Sequence, residues 1–155
     1  MSAILKPILR VSALALFAIS FTYPAGAQQL SQKLQYAIGH WQVMNNDGTM
    51  GGQVETWVMN GKLYGKVTKL KPSRKPDDIC DQCSGDKKNK PMMGMIIMRD
   101  MQPDGDDWAE GYILDPDNGK EYHSKLWAVD KDHLSMRGYI GISLFGRTSN
   151  WVRIP

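Results

Sequence analysis

The sequence predicts an all-β fold, an antiparallel up-and-down barrel of about eight strands making one domain. Three observations carry this prediction. Short segments of alternating polar and apolar residues recur along the chain, breaker-rich turns separate them, and no convincing long helix interrupts them. Closing such a meander removes its exposed strand edges. Eight strands enclose an interior that side chains fill, or that holds one small ligand.

Taken in order, residues 1–27 read as a signal peptide: Lys6 and Arg10 are basic, Val11–Phe21 is a short apolar run, and Ala25-Gly26-Ala27 fits a small-residue cleavage site. Residues 28–155 are then the barrel domain. Gln28–Ala37 is polar and forms either a short helix or an entry segment. Ile38–Met44 is the first strand and contains Gly39-His40-Trp41. Gln53–Met59 sets Val54, Thr56 and Val58 against Gln53, Glu55, Trp57 and Met59, the period of a two-faced strand. Asn60-Gly61 follows, a hairpin signal because both residues tolerate positive φ. The return strand, Lys62–Leu70, puts Leu63, Gly65 and Val67 on one side.

Leu70–Pro91 breaks the rhythm with three prolines, Cys80-Asp81-Gln82-Cys83 and the cluster Lys87, Lys88 and Lys90. A connection this long is uncommon in a compact domain and is often functional or tied down. Strands resume at Met92–Arg99, Trp108–Leu114, Lys120–Val129, His133–Ile140 and Ser143–Ile154. Breaker-rich turns at 103–107 and 115–119 separate the early ones.

The 155 residues carry 19 Lys+Arg against 16 Asp+Glu, a net +3. The leader accounts for two cations and no acid, so residues 28–155 hold 17 basic and 16 acidic residues, +1 over 128 residues. That balance argues against a nucleic-acid or anionic-membrane protein, either of which would need a strong basic excess. The apolar run of 11 residues is too short to span a bilayer, which takes roughly 20. An outer-membrane barrel needs a sustained lipid-facing row, and Glu110, His123, Lys125, Ser135, Arg137 and Arg147 interrupt the candidate rows. No cysteine lies near the cleavage site to carry a lipid anchor. The expected location is the periplasm, or beyond it by secretion.

Three segments together resemble a known group. Cys80-x-x-Cys83 precedes Lys90-Pro91-x-x-Gly94. Gly111-Tyr112-Ile113-Leu114-Asp115-Pro116 leads to Asn118-Gly119-Lys120-x-Tyr122. The chain ends on Met136 to Thr148 (Met-Arg-Gly-Tyr-Ile-Gly-Ile-Ser-Leu-Phe-Gly-Arg-Thr), then Trp151 and Arg153. In order and spacing this resembles the bacterial exported family catalogued as domain of unknown function 2147, from Gly39-x-Trp41 onward. The resemblance implies a lipocalin-like barrel and no established reaction. Met136 stands where the family usually has a basic residue or valine, a departure that leaves the fold undisturbed.

Gly39-x-Trp41 and Arg147 resemble the lipocalin closing device, in which an arginine lies over an N-terminal tryptophan and seals one barrel end; Arg153 is the alternative. A planar guanidinium stacks on an indole and bonds nearby carbonyls. Cys80 and Cys83 read as a disulfide pinning the long loop, with zinc and redox roles as rivals. The flanking Asp77, Asp78 and Asp81 disfavour a thiolate, and zinc needs two further ligands. Nine methionines stand among residues 28–155, and Met92, Met93, Met95, Met98 and Met101 crowd one strand and its exit. They read as core or pocket lining ahead of a copper site, since one face of a strand offers at most two of them.

No nucleophile stands beside a base. His123 and Ser124 are adjacent and point to opposite faces of a strand. The reading is therefore a non-enzymatic exported protein without cofactor or metal. Its expected partner is a small apolar or amphipathic ligand, with Met93, Met95, Ile113, Tyr122 and Leu126 as its wall. A filled-barrel interaction module of the envelope is the first alternative. A metal or redox protein using Cys80 and Cys83, or the Met92–Met101 cluster, is the second. The sequence leaves the oligomeric state open.

Overall fold

The computed structural model describes residues 30–155; the leader predicted over residues 1–27 lies outside them. A short helix, α1 (Gln32–Tyr36), comes first. Eight strands follow: β1 (Gly39–Met44), β2 (Met50–Met59), β3 (Lys62–Lys69), β4 (Ile96–Asp104), β5 (Asp107–Asp115), β6 (Lys120–Ala128), β7 (His133–Tyr139) and β8 (Gly146–Arg153). Each pairs antiparallel with the next, and β8 pairs back onto β1, which closes the barrel.

Local chemistry sets these elements. Ser31 caps α1 by accepting a hydrogen bond from the Leu34 amide at 3.3 Å. The β2–β3 hairpin turns on Asn60 and Gly61, with φ of 52° and 74°, as the Asn-Gly pair predicts. Inward side chains follow the expected alternation: Val54 and Thr56 on β2 and Leu63, Gly65 and Val67 on β3 are all buried. The ladder registers shift where β3 meets β4 and where β5 meets β6. Two non-glycine residues stand near these shifts in left-handed backbone, Asp100 (φ 59°) and Glu110 (φ 55°), as bulges do.

The outer faces carry ion pairs between strands. Glu55 meets Lys66 at 2.9 Å and Lys125 meets Asp107 at 3.0 Å on neighbouring strands, while Arg99 of β4 reaches over Tyr112 of β5 to meet Glu121 of β6 at 2.9 Å. Inside, Trp41, Leu63, Met98, Met101, Trp108, Leu126, Leu134 and Trp151 form the main core. It occupies the end where β1 begins and β8 finishes. Each such side chain, fully buried, contributes about 1.5–3 kcal/mol relative to exposure.

The strand predicted at Met92–Arg99 begins later, at Ile96. Met92–Met95 is instead a turn, with Gly94 at φ 77°. Side chains there do not alternate as on a strand. Met93 is 39% exposed, whereas Met92 and Met95 pack with Cys80, Cys83 and Leu114 in a cluster separate from the main core. The last strand likewise begins at Gly146, and residues 140–145 form a loop.

Candidate functional site: one closed end and one open end

The two barrel ends differ in kind. At the closed end, α1 lies across the opening. The indole of Trp108 donates to the Leu34 carbonyl at 3.1 Å, and that of Trp41 donates to Thr56 Oγ1 at 3.1 Å. Thr56 in turn donates to the Ala37 carbonyl at 2.5 Å. The buried indoles and Thr56 thus hold the carbonyls at the end of α1.

The guanidinium lying over Trp41 belongs to Arg153, 4.2 Å from the ring centroid. It also donates to the carbonyls of Tyr36 (2.6 Å), Ile38 (3.1 Å) and Lys131 (2.7 Å). This corrects the expectation that Arg147 closes the barrel. In an up-and-down barrel the start of β1 meets the end of β8, and Trp41 pairs with Arg153 while Arg147 pairs with Gly138 at the far end. Gly39 has a matching role. A side chain there would put its Cβ 2.4 Å from Arg153 Nη1, and the backbone stands at φ 140°. The Gly39-x-Trp41 spacing therefore provides both the clearance and the ring for one arginine.

The open end holds a cavity of about 490 Å³ between β5, β6, β7 and β8. Ile113, Tyr122, Met136, Ile140 and Phe145 supply its apolar wall, and Asp115, Asn118, Arg147 and Ser149 its polar one. Gly138 also lines it, and the missing side chain keeps room beside Ile113 and Tyr122. Asp115 is engaged by Asn118 Nδ2 at 2.9 Å and the Asp117 amide at 2.9 Å. Arg147 makes no hydrogen bond or ion pair among the described residues.

One step down the inner face from Tyr122, Ser124 sits between Gly111 and Gly138 on the neighbouring strands. It is fully buried, and its hydroxyl has no hydrogen-bond partner among the described residues. Leaving such a group unpaired costs about 1–3 kcal/mol. Below it Leu126 belongs to the packed core.

Of the five residues expected to form the ligand wall, the structure brings Ile113 and Tyr122 to the cavity. Leu126 lies beneath it. Met93 and Met95 are away from it, because their segment is a turn and Met95 serves the loop cluster. The residues that sequence reasoning missed, Met136, Gly138, Ile140, Phe145 and Ser149, come mainly from the last hairpin. Its Gly-Tyr-Ile-Gly-Ile-Ser-Leu-Phe-Gly run (138–146), apolar with glycines at both ends, was the available signal.

Cys80 and Cys83 form a disulfide. It packs with Met92, Met95 and Leu114 and anchors the 70–95 connection against the β5–β6 turn. The fit is close: a Cβ on Gly119 would fall 1.9 Å from the Gln82 carbonyl oxygen. The same connection is fastened by Asp117, which Lys71 meets at 2.6 Å and Arg74 at 2.7 Å. Burial works to raise the Asp117 carboxyl, yet the bonds from Lys71 and Arg74 hold it below the usual carboxylate range. Beside this ion cluster lies a second, smaller recess of about 190 Å³, between Val43, Val67, Leu70, Met92 and Ile97. On the wall outside, Arg99 holds the Glu121 carboxyl low by direct hydrogen bonding.

A family model described as "Uncharacterized protein conserved in bacteria (DUF2147)" matches residues 39–153. Among solved structures, the chain is similar to one described as "Protein HP1028 from the human pathogen Helicobacter pylori belongs to the lipocalin family". The TM-score is 0.67 and the identity 17%, over 76% of this chain and 82% of that one. A redesigned β-barrel aligns over 79% of this chain and 95% of its own, at 14% identity and a TM-score of 0.46, too low to carry an argument. No curated protein sequence matches the chain.

Proposed function

The chain belongs to the bacterial DUF2147 family, and from that premise and its lipocalin-like barrel we propose that it is a non-enzymatic binding protein, exported to the periplasm or beyond, that holds a small apolar or amphipathic ligand in the open end. The cavity of about 490 Å³ carries the proposal. Ligand pockets run from about 300 to 1,000 Å³ and are mostly apolar with a few fixed polar groups. The Ile113–Tyr122–Met136 wall with Arg147 at the rim is such a mixture. Among the described residues no paired acid and base and no activated nucleophile face this cavity, so the reading is retention, not turnover.

A filled barrel, the rival reading, describes the closed half of the molecule, where tryptophans and methionines occupy the interior. The open half favours binding. An environment-sensitive apolar fluorophore, 1-anilinonaphthalene-8-sulfonate, tests this by titration. It should bind at one site and lose about tenfold or more in affinity when Ser149→Trp fills the cavity. Absence of a saturable site, or the same affinity in the variant with its circular dichroism unchanged, overturns the proposal.

A further inference from the structure

The loop joining β7 to β8 presents the largest run of unburied apolar side chains in the described residues. Ile140 is 64% exposed, Ile142 60%, Leu144 75% and Phe145 73%. Between Ile140 and Phe145 there is no ionisable residue. The exposure does not come from a loose loop. Arg137 reaches across its base and donates to the Ser143 carbonyl at 2.6 Å, the Leu144 carbonyl at 3.0 Å and Thr148 Oγ1 at 2.8 Å. The guanidinium thus spends its donors on holding the loop open, with Gly141 at φ 73° making the turn. Proteins in water rarely present a contiguous apolar patch without a partner for it.

We propose that this loop is a docking tip that seats the open end of the barrel on a phospholipid bilayer rich in anionic headgroups. Three observations select a lipid surface as the occupant. The tip is six residues long. It offers far less than the roughly 800 Å² per partner that a stable protein interface takes, whereas a few bulky side chains suffice to enter the headgroup–acyl boundary. Second, cations flank it. Lys120 shares a recess with Ile140, Arg147 follows Phe145 by two residues, and neither has an ion pair among the described residues. Such cations are drawn to an anionic membrane surface. Of the nearby acids, Glu121 is ion-paired with Arg99 and Lys87, whereas Asp115 is hydrogen-bonded to Asn118 and the Asp117 amide and keeps its charge.

Third, Ile140 and Phe145 are also wall residues of the cavity. A tip inserted at the interface therefore brings the cavity mouth to the lipid, where an apolar ligand enters or leaves without crossing water. Leu30, the first described residue, lies at the opposite, closed end. The docking rests on the loop and its flanking cations, and it stands whether or not the cavity holds a ligand.

Co-sedimentation with vesicles of phosphatidylethanolamine and phosphatidylglycerol tests this. The protein should bind, and the combined change Ile142→Ser, Leu144→Ser and Phe145→Ser should lower the affinity about tenfold or more. All three side chains are exposed, so the variant keeps its core. It also keeps every residue outside the loop, so the loss belongs to the loop. Lys120→Gln with Arg147→Gln should weaken binding to these vesicles and leave binding to phosphatidylcholine vesicles unchanged. Three results overturn the proposal: no binding by the parent protein, equal binding by the serine variant, or sedimentation-velocity self-association that the serine variant abolishes, which makes a second copy the occupant.

Discussion

Replacing Arg153 with methionine keeps the apolar stem and removes the planar cation, so it isolates what the guanidinium does at the closed end. Three carbonyls, on Tyr36, Ile38 and Lys131, lose their donor, and Trp41 loses the group stacked on it. A hydrogen bond from a charged donor is worth about 1.5–3 kcal/mol, but water reaches this rim and replaces part of it, which leaves about 1 kcal/mol for each bond. The stack adds about 1 kcal/mol. The expected loss is about 3–4 kcal/mol, a fall in thermal midpoint of roughly 10–15 °C for a domain of this size. Arg147→Met, with no partner to lose, should stay within about 0.5 kcal/mol. Urea unfolding followed by tryptophan fluorescence reads both. If Arg153→Met costs under about 1 kcal/mol, or Arg147→Met costs as much, the assignment of the closing role to Arg153 is refuted.

Four further outcomes follow from the same geometry. Gly39→Ala should cost about 1–3 kcal/mol through its φ of 140° and its clash with Arg153 Nη1. In the Arg153→Met background it should cost less, a coupling that a double-mutant cycle in urea measures. Cys80→Ala with Cys83→Ala should lower stability by about 2 kcal/mol, the loop-entropy figure for so short a ring, while fluorophore binding at the cavity is retained. Asp117 has its carboxyl held below the ordinary value in the folded protein. Its contribution is therefore complete above the unfolded value of about 3.9 and is lost as pH falls through the folded one. Thermal melts across pH should show the parent losing more stability than Asp117→Asn below about pH 4; equal losses would remove Asp117 from the loop's fastening. Gly119→Ala should free the disulfide loop from the β5–β6 turn, seen as faster amide exchange at residues 80–83, and unchanged exchange there would contradict the packing described.

Most of the fold is legible in the sequence because a half-buried strand writes itself in alternation. Val54, Thr56 and Val58, or Leu63, Gly65 and Val67, show by their spacing alone which face turns inward. The Asn60-Gly61 turn is equally plain. What fails is whatever depends on a single backbone rotation. Gly94 at positive φ stands in a turn over Met92–Met95 where alternation reads strand, and Met93 and Met95 lie away from the cavity wall. Asp100 and Glu110 adopt left-handed backbone with no glycine to announce it.

The choice between Arg147 and Arg153 is a different kind of problem. Both lie on the inward parity of β8, so alternation alone does not separate them. Topology does: in a closed meander the first residues of β1 pair with the last of β8, which puts Arg153 beside Trp41. The cavity was half legible, through Ile113 and Tyr122. Its other wall comes from the β7–β8 hairpin, where an apolar run reads as strand although Arg137 holds it as a loop.

The claim that the open end receives a small ligand is tested most directly by native mass spectrometry of the protein purified from the cell that makes it, followed by solvent extraction. One bound molecule per chain is expected, apolar or amphipathic, released by organic solvent and absent from Ser149→Trp. A bare mass in the parent protein, together with failure to take up any apolar probe, would contradict it.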